Sequence, residues 1–142
     1  MYKKAIDYLP HEKPMVFLDD VVEISDTSCT CTVNTNKDGL LSAFLNPDGS
    51  ADALLGIEMM AQCTGVWSGY HILMRHEELS MGMLVGISNV ILKSQSISAN
   101  TKLYVTANVL IENGTFGSFE CQVKDDSNLI ISSIINTYKM DS

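Results

Sequence analysis

Ala51-Asp52-Ala53-Leu54-Leu55-Gly56-Ile57-Glu58-Met59-Met60-Ala61-Gln62, continued by Cys63 to Gly69 and by Tyr70-His71-Ile72-Leu73-Met74-Arg75, is the stretch whose reading decides the fold. It contains no proline, and its first half is dominated by Ala, Leu and Met, all good helix formers. Ser50 is placed to cap the start, Asp52 suits the positive end of the dipole, and Arg75 suits the negative end. The run predicts one helix over residues 51–75, roughly 35 Å long at about 1.5 Å per residue. Leu54, Ile57 and Ala61 form one stripe, which Gly65 and Gly69 extend at four-residue spacing. Leu55, Met59, Val66, Leu73 and Met74 cover much of the remaining circumference, and a helix that is apolar nearly all round is a buried one. Glu58 and Gln62 argue against a membrane span, because a carboxylate at the bilayer centre costs about 3 kcal/mol. The reading is a core helix wrapped by a sheet. Ala61, Gly65 and Gly69 leave room for another backbone, or for a long thin ligand, to approach.

Glu58 and Gln62 lie one turn apart and share a face. A buried carboxyl needs pairing, hydrogen bonding or a proton, and burial favours the protonated form that a general acid requires. The alternative is a structural glutamate held by backbone donors.

The remainder of the chain supplies the sheet. Tyr2 to Leu9 reads as a short helix stopped by Pro10, and Val16 to Ile24 reads as a strand. In 29–35, Thr30, Thr32 and Asn34 alternate with Cys29, Cys31 and Val33, a half-buried strand. Residues 37–49 are irregular, with turn signals at Asp38-Gly39 and Asn46-Pro47-Asp48-Gly49. Strands follow at 83–95, where Gly86 marks a bulge or a close approach, and at 101–112, 115–124 and 129–140. In 101–112 the period of two runs through Leu103, Val105, Ala107, Val109 and Ile111, and Asn113-Gly114 is a strong hairpin signal. Two strands, a long buried helix and four further strands joined mostly by tight turns describe an α+β chain, an antiparallel sheet around one helix.

With 142 residues and 46% apolar residues the chain suits one domain spanning 1–142 with a sizeable core. A net charge of -8 makes nucleic acid and anionic membranes unsuitable partners. No apolar run follows the charged start before Pro10, so no secretion signal is expected. Cys29, Cys31, Cys63 and Cys121 have neither metal-ligand nor redox spacing, and read as buried thiols in a reducing cytoplasm.

Several motifs carry a resemblance. Leu9-Pro10-His11-x-x-Pro14-Met15 followed by Leu18-Asp19 resembles the N-terminal signature of bacterial 3-hydroxyacyl-ACP dehydratases. Gly56-Ile57-Glu58-Met59-Met60-Ala61-Gln62 resembles their active-site helix. Met83-Leu84-Val85-Gly86, Gly117-Ser118-Phe119-Glu120-Cys121 and Asn136-x-Tyr138 look most like the ApeP-like subunits of aryl-polyene clusters. The resemblance implies a hot-dog fold and dehydration of a 3-hydroxyacyl thioester on acyl carrier protein, in fatty-acid or aryl-polyene-type synthesis. It implies that Glu58 is the acid, that Gln62 holds it, and that Gly56, Ala61, Gly65, Gly69 and Gly86 contact the substrate. No metal or organic cofactor is implied. The family's His-Phe-Pro loop falls where this chain has Phe44, within Leu41-Ser42-Ala43-Phe44-Leu45-Asn46-Pro47. His11 is then the remaining catalytic candidate, since His71 and His76 lie more than three turns beyond Glu58 and read as surface or dipole-pairing residues.

These sites are built across dimers, so a homodimer of this chain would hold an acid without the usual base. A heterodimer with a histidine-bearing hot-dog subunit would complete the site. Two other functions fit the same helix carboxylate: a hot-dog acyl-thioester hydrolase, and a non-catalytic subunit.

Overall fold

The computed structural model describes residues 2–10, 15–79 and 82–139. The central stretch forms α1 (Leu55–Met74), a helix of about 30 Å. The strands are β1 (Val21–Ile24), β2 (Ser28–Asn34), β3 (Ala51–Asp52), β4 (Gly82–Leu92), β5 (Ser96–Ile97), β6 (Lys102–Glu112), β7 (Phe116–Lys124) and β8 (Leu129–Lys139). Six of them make one antiparallel sheet in the order β1-β2-β6-β7-β8-β4, while β3 pairs only with β5. The sheet wraps α1, which packs on β2, β6, β7 and β8. This is the expected hot-dog arrangement, and β6, β7 and β8 are neighbours as expected.

Inward residues alternate along β6, with Leu103, Val105 and Ala107 buried against the helix side. The expected period of two fails at its end. The β6–β7 register slips between Val109 and Ile111, and Ile111 is left 59% exposed. Asn113-Gly114 closes the hairpin as expected: Gly114 has φ +90°, and Asn113 Oδ1 accepts from the Thr115 and Phe116 N–H groups.

Both ends of the predicted helix are trimmed. Ala51 and Asp52 pair with Ile97 and Ser96, so a strand captures what propensity assigned to the helix. Ser50 does not cap α1; its hydroxyl donates to Asp48, and Asp52 Oδ1 accepts from the Leu54 N–H. The helix therefore starts later, and Glu58 stands in its first turn rather than near its middle. The N-terminal helix shrinks to a 3-10 turn at Ala5–Tyr8, and β1 begins only at Val21. Residues 16–18 are fully buried but belong to no strand, and the Phe17 N–H donates to the Gln62 side chain of α1 rather than to a sheet ladder.

The glycine stripe on α1 admits a backbone. A Cβ on Gly69 would lie 1.9 Å from the Tyr8 carbonyl oxygen, and one on Gly65 would lie 2.8 Å from Leu9 Cδ2. The N-terminal segment thus rests directly on the helix. Gly69→Ala should destabilise the protein by at least about 1–3 kcal/mol, the usual cost of overpacking, because the obstructing atom is backbone. Urea unfolding measures this; unchanged stability would mean that the segment does not sit on α1.

β4 is an edge strand whose far side has no partner strand among the described residues. Met83, Val85, Val90 and Ile91 on it are 46–55% exposed. No helix among the described residues is long and apolar enough to cross a membrane.

Candidate active site

Glu58 is half-buried on the first turn of α1, and Gln62 is fully buried one turn later. The Gln62 amide is bonded on all sides. Its Oε1 accepts from the Phe17 N–H at 2.8 Å, which fixes the orientation of the amide. Its Nε2 donates to the Met15 carbonyl at 2.6 Å and to Glu58 Oε1 at 3.1 Å. Buried apolar residues hold the 16–18 segment in place, the segment holds Gln62, and Gln62 holds one carboxyl oxygen of Glu58. Among the described residues the other oxygen, Oε2, has no hydrogen-bond partner, and Glu58 has no ion pair. The carboxyl is thus pinned on one side and open on the other, as a group that must exchange a proton with a ligand requires. Gln62→Leu would strand the Phe17 N–H and the Met15 carbonyl. We expect a loss of about 1–3 kcal/mol for a buried group left unpaired, read by urea unfolding.

The open side faces a cavity of about 290 Å³. Its walls include Glu58, Ala61, Gln62, Gly65 and Gly69 of α1, Tyr8 and Leu9 of the N-terminal segment, and Phe116, Phe119 and Thr137 of the sheet. A cavity with aromatic walls, Glu58 on its helix side and Glu112 also on its lining, is suited to an apolar chain bearing a polar end.

Five of the expected site residues thus meet at one cavity. Gly56 and Gly86 are placed elsewhere. Gly56 faces β8, where an added Cβ would meet Ile131 Cγ2 at 2.5 Å; Gly86 sits at a register shift of β4, against Asn136. His11 lies outside the described residues. Phe44, at the position the resemblance gives to a histidine, packs edge-on against Phe17 with ring centroids 4.8 Å apart.

Two features were not expected. His71 is half-buried and lines the far part of the cavity. Its Nε2 donates to the Ser25 carbonyl at 3.1 Å, beside the Trp67 Nε1–H bond to the same oxygen at 3.0 Å. Thirteen positions of helix put it about 20 Å from Glu58, too far to share a reacting carbon. The spacing of Trp67 and His71, one turn apart, could have signalled the pair. The second feature is a thiol cluster. Cys29, Cys31 and Cys63 are buried as expected, and they also converge, their sulfurs all within 4.8 Å of one another.

Comparison with known proteins agrees with the fold and identifies the family. The sequence profile of the ApeP-like family, described as ApeP dehydratase, matches residues 3–142. A chain of the dehydratase heterocomplex ApeI:P from Xenorhabdus doucetiae superposes with a TM-score of 0.96 at 38% identity, covering 100% of this chain and 94% of that one. The 3-hydroxyacyl-[acyl-carrier-protein] dehydratase FabZ of Teredinibacter turnerae is 30% identical over 131 residues, 90% of this chain and 88% of the relative. The FabZ of Saccharophagus degradans is 28% identical over 131 residues, 90% and 89% of the two chains.

Proposed function

The chain belongs to the ApeP-like dehydratase family, and on that premise we propose that it is the acid-bearing half of a 3-hydroxyacyl carrier-protein dehydratase, completed by a second hot-dog subunit. The observation that carries this reading is the carboxyl of Glu58, fixed on one side by Gln62 and open to an apolar cavity on the other.

In this reaction a base takes the proton α to the thioester carbonyl while an acid protonates the departing hydroxyl. The C–O bond breaks, water leaves, and the α–β double bond forms. Glu58 supplies the second proton through Oε2, and Gln62 keeps the carboxyl aimed while its own bonds remain intact. The acyl chain lies in the cavity beside Ala61, Gly65 and Gly69. The chemistry calls on no metal or organic cofactor.

The base comes from the partner. Phe44 cannot accept a proton and His71 is too distant along the helix; His11, outside the described residues, is the alternative base within this chain. The exposed apolar edge of β4 is where the second subunit would add its own edge strand. The ApeI:P protein is itself a heterocomplex, which supports this arrangement. A net charge of -8 suits a basic partner and repels an acidic carrier protein, so the partner also provides the carrier's docking surface.

The products separate this reading from the thioesterase one. Mass spectrometry after incubation with a 3-hydroxyacyl carrier protein should find an enoyl group still attached to the carrier. A free acid with released carrier would establish a hydrolase instead.

A further inference from the structure

The thiol cluster lies away from the cavity, between β2 and α1. Cys29 and Cys31 are two apart on β2 and so point to the same face, toward the helix that carries Cys63. The Cys29 and Cys31 sulfurs are 3.7 Å apart, and all three lie within 4.8 Å of one another. Each residue is fully buried. Cys63 Sγ donates weakly to the Cys29 and Val105 carbonyls, both at 3.5 Å.

The Cys29–Cys31 distance is that of a thiol–thiol contact, and the three sulfurs are close enough to share one ion. At a metal–sulfur bond of about 2.3 Å, three sulfurs arranged trigonally around one ion stand about 4 Å apart. The donor set is entirely soft, which selects a thiophilic ion over a hard one. No other cysteine, histidine or carboxylate joins the group among the described residues. A tetrahedral Zn(II) would lack its fourth ligand, whereas three-coordination satisfies a d¹⁰ monovalent ion. Charge points the same way. Two thiolates around Cu(I) leave a single negative charge in the core; a third thiolate would leave two, at a heavier desolvation cost.

We propose that Cys29, Cys31 and Cys63 form a binding site for Cu(I), independent of the dehydratase site. Cys29 and Cys31 bind as thiolates, releasing two protons to solvent, and the Cys63 sulfur occupies the third position. No electron is transferred.

The test is an anaerobic titration of the reduced full chain with Cu(I) against a chromophoric Cu(I) chelator. The ion is supplied both to folded protein and during refolding from urea, so that slow access to the core does not hide the site. One equivalent should be retained, with ultraviolet thiolate-to-copper absorption. Retention should be lost in Cys29→Ala and Cys31→Ala, weakened in Cys63→Ser and unchanged in Cys121→Ala, whose thiol is buried outside the cluster. Melting of the unmutated protein gives an independent reading that no folding defect can confound. A site in the folded core raises Tm, by about 5–10 °C at free Cu(I) a hundredfold above Kd, whereas capture by unfolded thiols lowers it. An unchanged or lowered Tm, or retention that survives loss of both Cys29 and Cys31, would overturn the proposal.

Discussion

Glu58→Gln in the assembled complex should lower the dehydration rate by about 10²- to 10⁴-fold, the typical contribution of a positioned acid or base. The substitution removes the proton and little else. The amide has nearly the same volume as the carboxyl, and its oxygen can still accept from Gln62 Nε2. The hydrogen bonds of Gln62 to Met15 and Phe17 do not involve Glu58, so the local fold stays intact. Thermal unfolding should therefore move little while the rate falls. A rate that survives the substitution would favour the non-catalytic reading, in which Glu58 serves only as an acceptor for Gln62.

The second large effect is dependence on a partner. The purified chain alone should dehydrate a 3-hydroxyacyl carrier protein about 10²- to 10⁴-fold more slowly than the same chain with a histidine-bearing hot-dog subunit, since a site without its base loses that factor. Two features of the structure support this expectation. The ring of Phe44, at the position the resemblance gives to a histidine, packs on Phe17. His71 is tied to the Ser25 carbonyl far along the helix. Full activity of the chain alone, abolished by His11→Ala, would move the base to His11 and refute the half-site.

The helix and the succession of elements along the chain were legible because they rest on local chemistry. The apolar, proline-free run around Glu58 had to be buried, and β6 showed its inward face as a plain alternation from Leu103 to Ala107. The Glu58–Gln62 pair was visible from one-turn spacing alone. What the sequence hid depends on partners remote in the chain. Ala51 and Asp52 have helical neighbours but join a strand, because Ser96 and Ile97 offer them a ladder. Gly65 and Gly69 signalled a close approach without naming what approaches; Tyr8 and Leu9 answer it. The 16–18 segment is apolar enough for a strand, yet its Phe17 N–H goes to Gln62, a bond spanning 45 residues. Cys29 and Cys31 advertised a shared face, but only the packing of α1 on β2 brings Cys63 to them.

The most direct measurement is the mass of the acyl group on the carrier protein after one incubation series: the chain alone, the partner alone, the two together, and the partner with Glu58→Gln chain. Loss of one water from the carrier-bound acyl group, seen at speed only when native chain and partner are combined, is the result predicted. Equally fast loss of water with the Glu58→Gln chain, or release of a free acid, would contradict the assignment of Glu58 as the acid of a shared dehydratase site.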